Sequence, residues 1–467
     1  LFKKVNVWML IMMFSFVSVF TYTGTAEASF QPGVDTVILV DGDSGKILYE
    51  QNAEQALPPA SMTKMMSEYL ILEAVNKGDI AWNDTVPVSD HLAELSHDRG
   101  LSNVPMRTDE EYTVEELYES IAIYSANAAT MALAEYISGS EGAFVEEMNE
   151  KGKELGMGET LREAGQEYGL DNLEEIAAEG FGDYQFVNTT GLPNRLLNGM
   201  HPDGTGSDED NYMSAKAAAT LAYHLVNDYP EVLDVASIPE KVFREGTDDA
   251  VNMQNWNWMI EGTQLSDLDN QYVDGLKTGH TNAAGFTFTG TAERDGQRLV
   301  SVVMGADSEV HRFQETERLM EWGFNNFSMQ EIFPGDMTLD GYETVPVAKG
   351  QEDEVAIAST DSVSMVIHED DEEAYTYSVE LDESMLNEDG ELEAPIEEGT
   401  VVGRMAVEYN GENEAAFLPG EGNQLAVDVV TTENVERAGW FSLMARGIGD
   451  FFSGLWTSVA DTVRGWF

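Results

Sequence analysis

The chain has no cysteine in its 467 residues. Disulfides, thiolate metal sites and a cysteine nucleophile are therefore excluded. Basic residues are scarce, with 24 Lys+Arg against 86 Asp+Glu and a formal net charge of −62. Binding to bare nucleic acid is not expected, because phosphate contact needs clustered Lys and Arg. Histidine is sparse too. His91, His97, His201, His224, His280, His311 and His368 are scattered, and none belongs to a close metal-ligand spacing such as HExxH. Neither a metal nor another cofactor is expected. The acidic excess runs along the whole chain rather than in one tail, and 42% of residues are hydrophobic. That combination reads as globular protein with a heavily solvated acidic surface, and more sharply as adaptation to high salt, where screening shortens the range of self-repulsion.

The two ends differ from the middle. Lys3 and Lys4 precede an apolar run from Val5 to Phe20, and Ala26-Glu27-Ala28 has the small-x-small pattern of a cleavage site. Residues 1–28 are expected to be an export signal. At the other end, Trp440, Met444, Ile448, Phe451, Phe452, Leu455, Val459, Val463 and Trp466 recur every three or four residues. They predict an amphipathic helix over 433–467. No uncharged run there reaches the roughly 18–20 residues that a span requires. The expected partner of this helix is a membrane surface, at the outer face of the cytoplasmic membrane.

Between the ends, Val37 to Val40 and Ile47 to Glu50 read as a β-hairpin around Asp41-Gly42-Asp43-Ser44-Gly45. A helix is expected from Ser61 to Val75. Thr113-Val114-Glu115-Glu116 is a capping box that opens a second helix ending near Tyr124. Ala128 to Ile137 predicts a third. Residues 156–184 are acidic, with glycine-rich edges, and read as a surface insertion. Tyr272–Thr278, Phe286–Ala292 and Arg298–Met304 predict strands, the last two joined at Asp295-Gly296, and Glu315–Phe324 a closing helix. From about 331 the pattern becomes short alternating strands, such as Val363–His368, Tyr375–Leu381 and Val401–Tyr409. Domains are therefore expected at 29–330 (catalytic), 331–432 (small, all-β) and 433–467 (anchor).

Three short motifs carry chemistry. Ser61-Met62-Thr63-Lys64 puts a hydroxyl and an amine on one helical face. A serine needs a base, and a lysine becomes one only when burial or a second cation lowers its pKa. Ser125-Ala126-Asn127 lies between two predicted helices, where a loop can aim side chains into a cleft. Lys277-Thr278-Gly279 lies on a predicted strand, with Gly279 allowing close approach of a substrate backbone. Each motif alone is weak. Together they stand in the order SxxK, SxN, KTG on helix, loop and strand, and two of the nine lysines outside the signal segment fall in them.

This set resembles the penicillin-recognising serine enzymes, and among them the low-molecular-weight serine D-alanyl-D-alanine carboxypeptidases. Similar segments include Asp43-Ser44-Gly45-Lys46, Phe186 to Leu192, Tyr212 to Lys216, Lys277 to Thr281 and Ala394-Pro395-Ile396. The resemblance implies an α+β fold: a β-lactamase/DD-peptidase-like catalytic domain of antiparallel sheet and helices, then a small all-β domain and an amphipathic C-terminal helix. It implies Ser61 as the acylated nucleophile, Lys64 as its base, Ser125 as a proton relay with Lys277, and Asn127 as a holder of the substrate peptide. It assigns the oxyanion to the backbone N–H groups of Ser61 and His280, close substrate approach to Gly279, and the terminal carboxylate to Thr278 and Arg312. Peptidoglycan stem peptides and β-lactam antibiotics are the implied partners. Two departures stand out: the long 156–184 segment, and Ala217, where the family often has Asp after Ser-Ala-Lys. Two alternatives remain open. One is a slowly turning-over penicillin-binding sensor. The other is a class A-like β-lactamase, disfavoured because the only ExxLN string, Glu383 to Asn387, follows the KTG motif.

Overall fold

The computed structural model describes residues 30–197, 199–265, 267–368, 371, 374–411, 416–420 and 426–444. The expected export signal and most of the expected anchor helix lie outside these residues. The main body begins at Val34.

A five-stranded antiparallel sheet is the frame of the first part. It contains β1 (Thr36–Asp41), β2 (Ile47–Gln51), β3 (Val273–Thr281), β4 (Gly285–Arg294) and β5 (Gln297–Ala306), in the order β2-β1-β5-β4-β3. The β1 sequence TVILVD is aliphatic and β-branched, and all six residues are buried. The β4–β5 hairpin closes through Asp295 at φ 55° and Gly296 at φ 84°. Two left-handed residues are what a two-residue hairpin turn of this twist demands.

Helices fill the space beside the sheet. They include α1 (Lys64–Lys77), α2 (Val114–Tyr124), α3 (Asn127–Ser138), α4 (Glu141–Glu154), α5 (Leu161–Tyr168), α6 (Leu173–Ala178), α7 (Ala215–Asp228) and α8 (Glu309–Asn326). Burial of α1 extends around its circumference, taking in Met65, Met66, Ile71 and Leu72 but also Lys64, Ser67 and Glu68. A helix buried on every side belongs to the centre of a lobe. The capping box at Thr113 forms as expected, its hydroxyl accepting from Glu116 N while Glu116 accepts from Thr113 N. The expected helix at 315–324 is one part of α8, which begins earlier because Ser308 caps it by accepting from His311 N.

Segment 156–184 is more than a surface insertion. Thr160 and Asn172 cap α5 and α6, and Leu161, Leu173, Ile176 and Ala177 pack with Ala56, Val187 and Tyr212 into a small apolar core. Its acidic residues masked two short amphipathic helices.

After α8 the chain becomes all-β. Strands β6 (Phe327–Phe333), β7 (Thr344–Ala348), β8 (Glu354–Ser359), β9 (Val363–His368), β10 (Tyr375–Leu381), β11 (Leu392–Glu393), β12 (Val401–Tyr409) and β13 (Ala426–Thr431) form a β6-β9 pair and a sheet in the order β10-β12-β13-β8-β7-β11. Val345, Val355, Val402, Met405 and Val429 are in its core. The β1–β2 turn is stitched to this part. Leu418 N donates to Gly45 O at 2.8 Å, and Lys46 Nζ donates to Tyr375 Oη at 2.7 Å and Val366 O at 3.1 Å.

Candidate active site

The nucleophile candidate sits on a tight turn. Ala60–Thr63 is a 3₁₀ turn that runs into α1, so the expected helix starts with a narrower first turn. Ala60 has φ 49°, an unfavourable value for a residue with a Cβ. Two glycines leave room for this turn. A Cβ on Gly191, at φ +79°, would lie 1.8 Å from Ala60 O. A Cβ on Gly279 would lie 2.5 Å from Pro59 O and 3.1 Å from Ser61 N, so β3 passes directly against the turn.

Lys64 is fully buried. Its Nζ lies 3.1 Å from Ser61 Oγ, 2.7 Å from Asn127 Oδ1 and 2.8 Å from Thr190 O. Burial, reinforced by the Lys277 charge, holds its pKa well below the ordinary lysine value. When the amine is neutral, these two carbonyl-type oxygens can accept both of its protons, which leaves its lone pair for Ser61 Oγ.

Both acceptors are held by second partners. Asn127 opens α3 and donates through N and Nδ2 to Ser102 O, at 3.0 and 2.9 Å. That fixes its amide with Oδ1 toward Lys64. Thr190 is held by a buried polar loop. Asn188 Oδ1 accepts from Thr190 N, Thr190 Oγ1 and Gly191 N, at 3.0, 3.0 and 2.8 Å. Glu141 accepts from Thr189 N and Oγ1, at 3.1 and 2.8 Å, and Ser67 Oγ donates to Thr189 O at 2.7 Å.

Ser125 is the C-cap of α2 at φ 59°, where the chain reverses between α2 and α3 within two residues. Its Oγ is buried with no hydrogen-bond partner among the described residues. It opens onto a cleft of about 210 Å³, together with Ser61, Thr278, His280 and Arg312. Lys277 and Thr278 are buried on β3. Burial lowers the Lys277 pKa, Glu68 opposes that shift and Arg312 adds to it. The His280 ring turns along the hairpin, stacking on Phe286 at 4.0 Å between centroids, with Nδ1 2.9 Å from Gly285 O. Its side chain is thus committed elsewhere. Arg312, in the first turn of α8, donates to Gly279 O at 2.9 Å, and its Nε has no partner among the described residues. Six of the nine expected residues line this cleft, Lys64 and Asn127 join it through Ser61, and Lys277 lies buried beside Thr278 within electrostatic reach of Lys64.

Sequence reading missed Glu68 and Glu141. Glu68 is buried one turn beyond Lys64, and the two lysines counter the rise in pKa that burial causes. It is a buried carboxyl facing Lys64 and Lys277, with its pKa raised from 4.5 to about 7. A polar residue four places after the motif lysine was the available signal, but helix periodicity alone did not mark that face as buried. Ala217 is buried in the first turn of α7 with its N–H on the Ser214 cap. The ExxLN string begins in a short turn of the all-β part, Glu383–Met385. Among the described residues no cluster of His, Asp or Glu is arranged to hold a metal.

Comparison with known proteins agrees with this architecture. Residues 24–308 match the D-alanyl-D-alanine carboxypeptidase family model, and 327–437 match the penicillin-binding protein 5 C-terminal domain. The D-alanyl-D-alanine carboxypeptidase DacF of Bacillus subtilis is 29% identical over 89% of each chain. DacC of Escherichia coli is 29% identical over 96% of this chain and 94% of its own. Among solved structures, a peptidoglycan synthesis regulatory factor (PBP3) from Streptococcus pneumoniae superposes with a TM-score of 0.65 at 30% identity, covering 87% of this chain and all of its own. Penicillin binding protein 5 from Haemophilus influenzae gives 0.61 at 26% identity, covering 87% and 99%. With more than half its length matched by the family model and the serine–lysine site in place, the chain belongs to the D-alanyl-D-alanine carboxypeptidases, the low-molecular-weight penicillin-binding proteins.

Proposed function

We propose that this chain removes the terminal D-Ala from peptidoglycan stem pentapeptides through an acyl-enzyme on Ser61. The observation that carries the reading is the Lys64 amine, buried, depressed in pKa and 3.1 Å from Ser61 Oγ. The substrate lies along the free edge of β3, with its terminal carboxylate at Thr278 and Arg312. Neutral Lys64 takes the Ser61 proton as Oγ attacks the penultimate D-Ala carbonyl. The backbone N–H groups of Ser61 and His280 stabilise the oxyanion. Ser125, whose Oγ has no hydrogen-bond partner among the described residues, passes the proton held by Lys64 to the departing amine, with Lys277 holding the local field positive. Water, giving a proton to the neutral Lys64, then attacks the acyl carbon, and Lys64 returns that proton to Ser61 Oγ as the tetrapeptide leaves. A β-lactam acylates the same oxygen, but its leaving group stays tethered.

The site operates on the outer face of the cytoplasmic membrane, with residues 433–467 resting on the lipid surface. The exposed Trp440, Phe441 and Met444, at 64%, 71% and 54%, support this. No helix among the described residues is long and apolar enough to cross a membrane.

The test is intact-protein mass after benzylpenicillin treatment, in wild type and Ser61→Ala, with D-Ala release from a D-Ala-D-Ala peptide followed in parallel. One adduct, lost in Ser61→Ala, together with D-Ala release is expected. An adduct without release would instead support the sensor reading. No adduct from folded protein would sink the role of Ser61.

A further inference from the structure

The wall of the cleft facing β3 has an aromatic residue that the mechanism leaves unused. Trp256 is 36% exposed, and it lines the same cleft as Ser125, Thr278 and Arg312. One face of its indole stacks on Tyr124, with ring centroids 6.0 Å apart and planes 25° from parallel. Its Nε1 donates to Tyr124 O at 3.1 Å and to Ser102 Oγ at 3.3 Å. Ser102 in turn donates to Tyr124 O and accepts, through its own carbonyl, from Asn127. The ring is therefore pinned by stacking and hydrogen bonding before any ligand arrives. Its polar atom is already satisfied, so the surface it offers the cleft is an apolar π-face.

The position of this face within the cleft defines its ligand. The cleft that Trp256 lines also holds Ser61, Thr278 and, from the first turn of α8, Glu309 and Arg312. This is where a terminal carboxylate pairs with Arg312. The residue that departs on acylation carries the carboxylate held by Arg312 and so lies in this cleft, whose wall includes Trp256, stacked on the end of α2. We propose that Trp256 is a specificity residue for the leaving group, packing its π-face against the methyl of the terminal D-Ala. This deepens the carboxypeptidase reading and rests on it.

Two peptides separate the terms: diacetyl-L-Lys-D-Ala-D-Ala and diacetyl-L-Lys-D-Ala-Gly. Both yield the same acyl-enzyme, so the ratio of their kcat/KM values reports only on the leaving residue. Burying one methyl is worth about fourfold. Wild type is expected to favour D-Ala by at least that factor. Trp256→Ala is expected to bring the ratio close to one, and Trp256→Phe to keep it. Trp256→Gln, which retains an N–H donor for Tyr124 O but has no ring, covers the case in which the alanine variant does not fold. A merely structural loss scales both rates and leaves the ratio intact. A wild-type ratio retained in the ringless variants, or a wild type that does not discriminate, would overturn the subsite while leaving the carboxypeptidase standing. A wild type that neither releases D-Ala nor takes a penicillin adduct would overturn both.

Discussion

Asn127 Oδ1 lies 2.7 Å from Lys64 Nζ, and the Asn127 amide is tied through Nδ2 to Ser102 O. The middle motif thus acts on the first through the lysine. It helps decide where the amine's protons point, and so where its lone pair points. Asn127→Ala removes one of the two acceptors and lets the amine rotate. The rate of acylation by benzylpenicillin is expected to fall roughly a hundredfold, the scale of a misdirected general base. Stopped-flow acylation measures it, and a fall of less than threefold would mean that Thr190 O alone orients the amine.

In the proposed mechanism only the neutral Lys64 amine accepts the Ser61 proton, so the acid limb of acylation is expected to report the Lys64 proton. Lys277 is the main charge holding that pKa down, after burial. Lys277→Gln removes the cation, so Lys64 keeps its proton to higher pH and the limb moves upward. Acylation rates across pH 5–9 test this. A variant that is slower at every pH, with the limb unmoved, would show that Lys277 acts only on substrate.

Glu141 predicts a stability effect of definite sign. Burial raises its pKa from 4.5 to about 7. Between those values the folded protein holds a proton that the unfolded chain does not, so this group's contribution to stability declines as pH rises through the window. Glu141→Gln stays neutral and can still accept from Thr189. Its melting temperature relative to wild type is expected to rise from pH 5 to pH 8. Parallel curves would contradict the shift. Glu141→Leu leaves two buried Thr189 donors unpaired, at a cost of about 1–3 kcal/mol.

The net charge of −62 makes self-repulsion the dominant long-range term. Raising monovalent salt from 0.1 M to 1 M shortens the screening length from about 10 Å to about 3 Å. The melting temperature is expected to rise continuously over that range with KCl, and to respond little to an equal osmolality of a neutral solute. A flat KCl response would remove the argument for adaptation to high salt.

The linear chain by itself determined the chemistry and most of the architecture. Ser61, Lys64, Ser125, Asn127 and Lys277 were legible because each is part of a short motif whose spacing is local. The β1–β2 hairpin, the Thr113 cap and the Asp295-Gly296 turn were legible for the same reason, since propensity and turn geometry act over a few residues. Tertiary structure alone decided what these residues experience. The Lys64 pKa falls well below the ordinary lysine value because folding removes its water and brings Lys277, 213 positions away, near it, while Thr190 O, 126 positions away, accepts from its amine. Glu68 and Glu141 looked like two more acids among 86 until packing buried them. Trp256 carried no motif at all, and its place in the cleft follows from the approach of Tyr124 and Ser102. Burial and long-range contact set pKa and orientation, and neither is a property of neighbours in sequence.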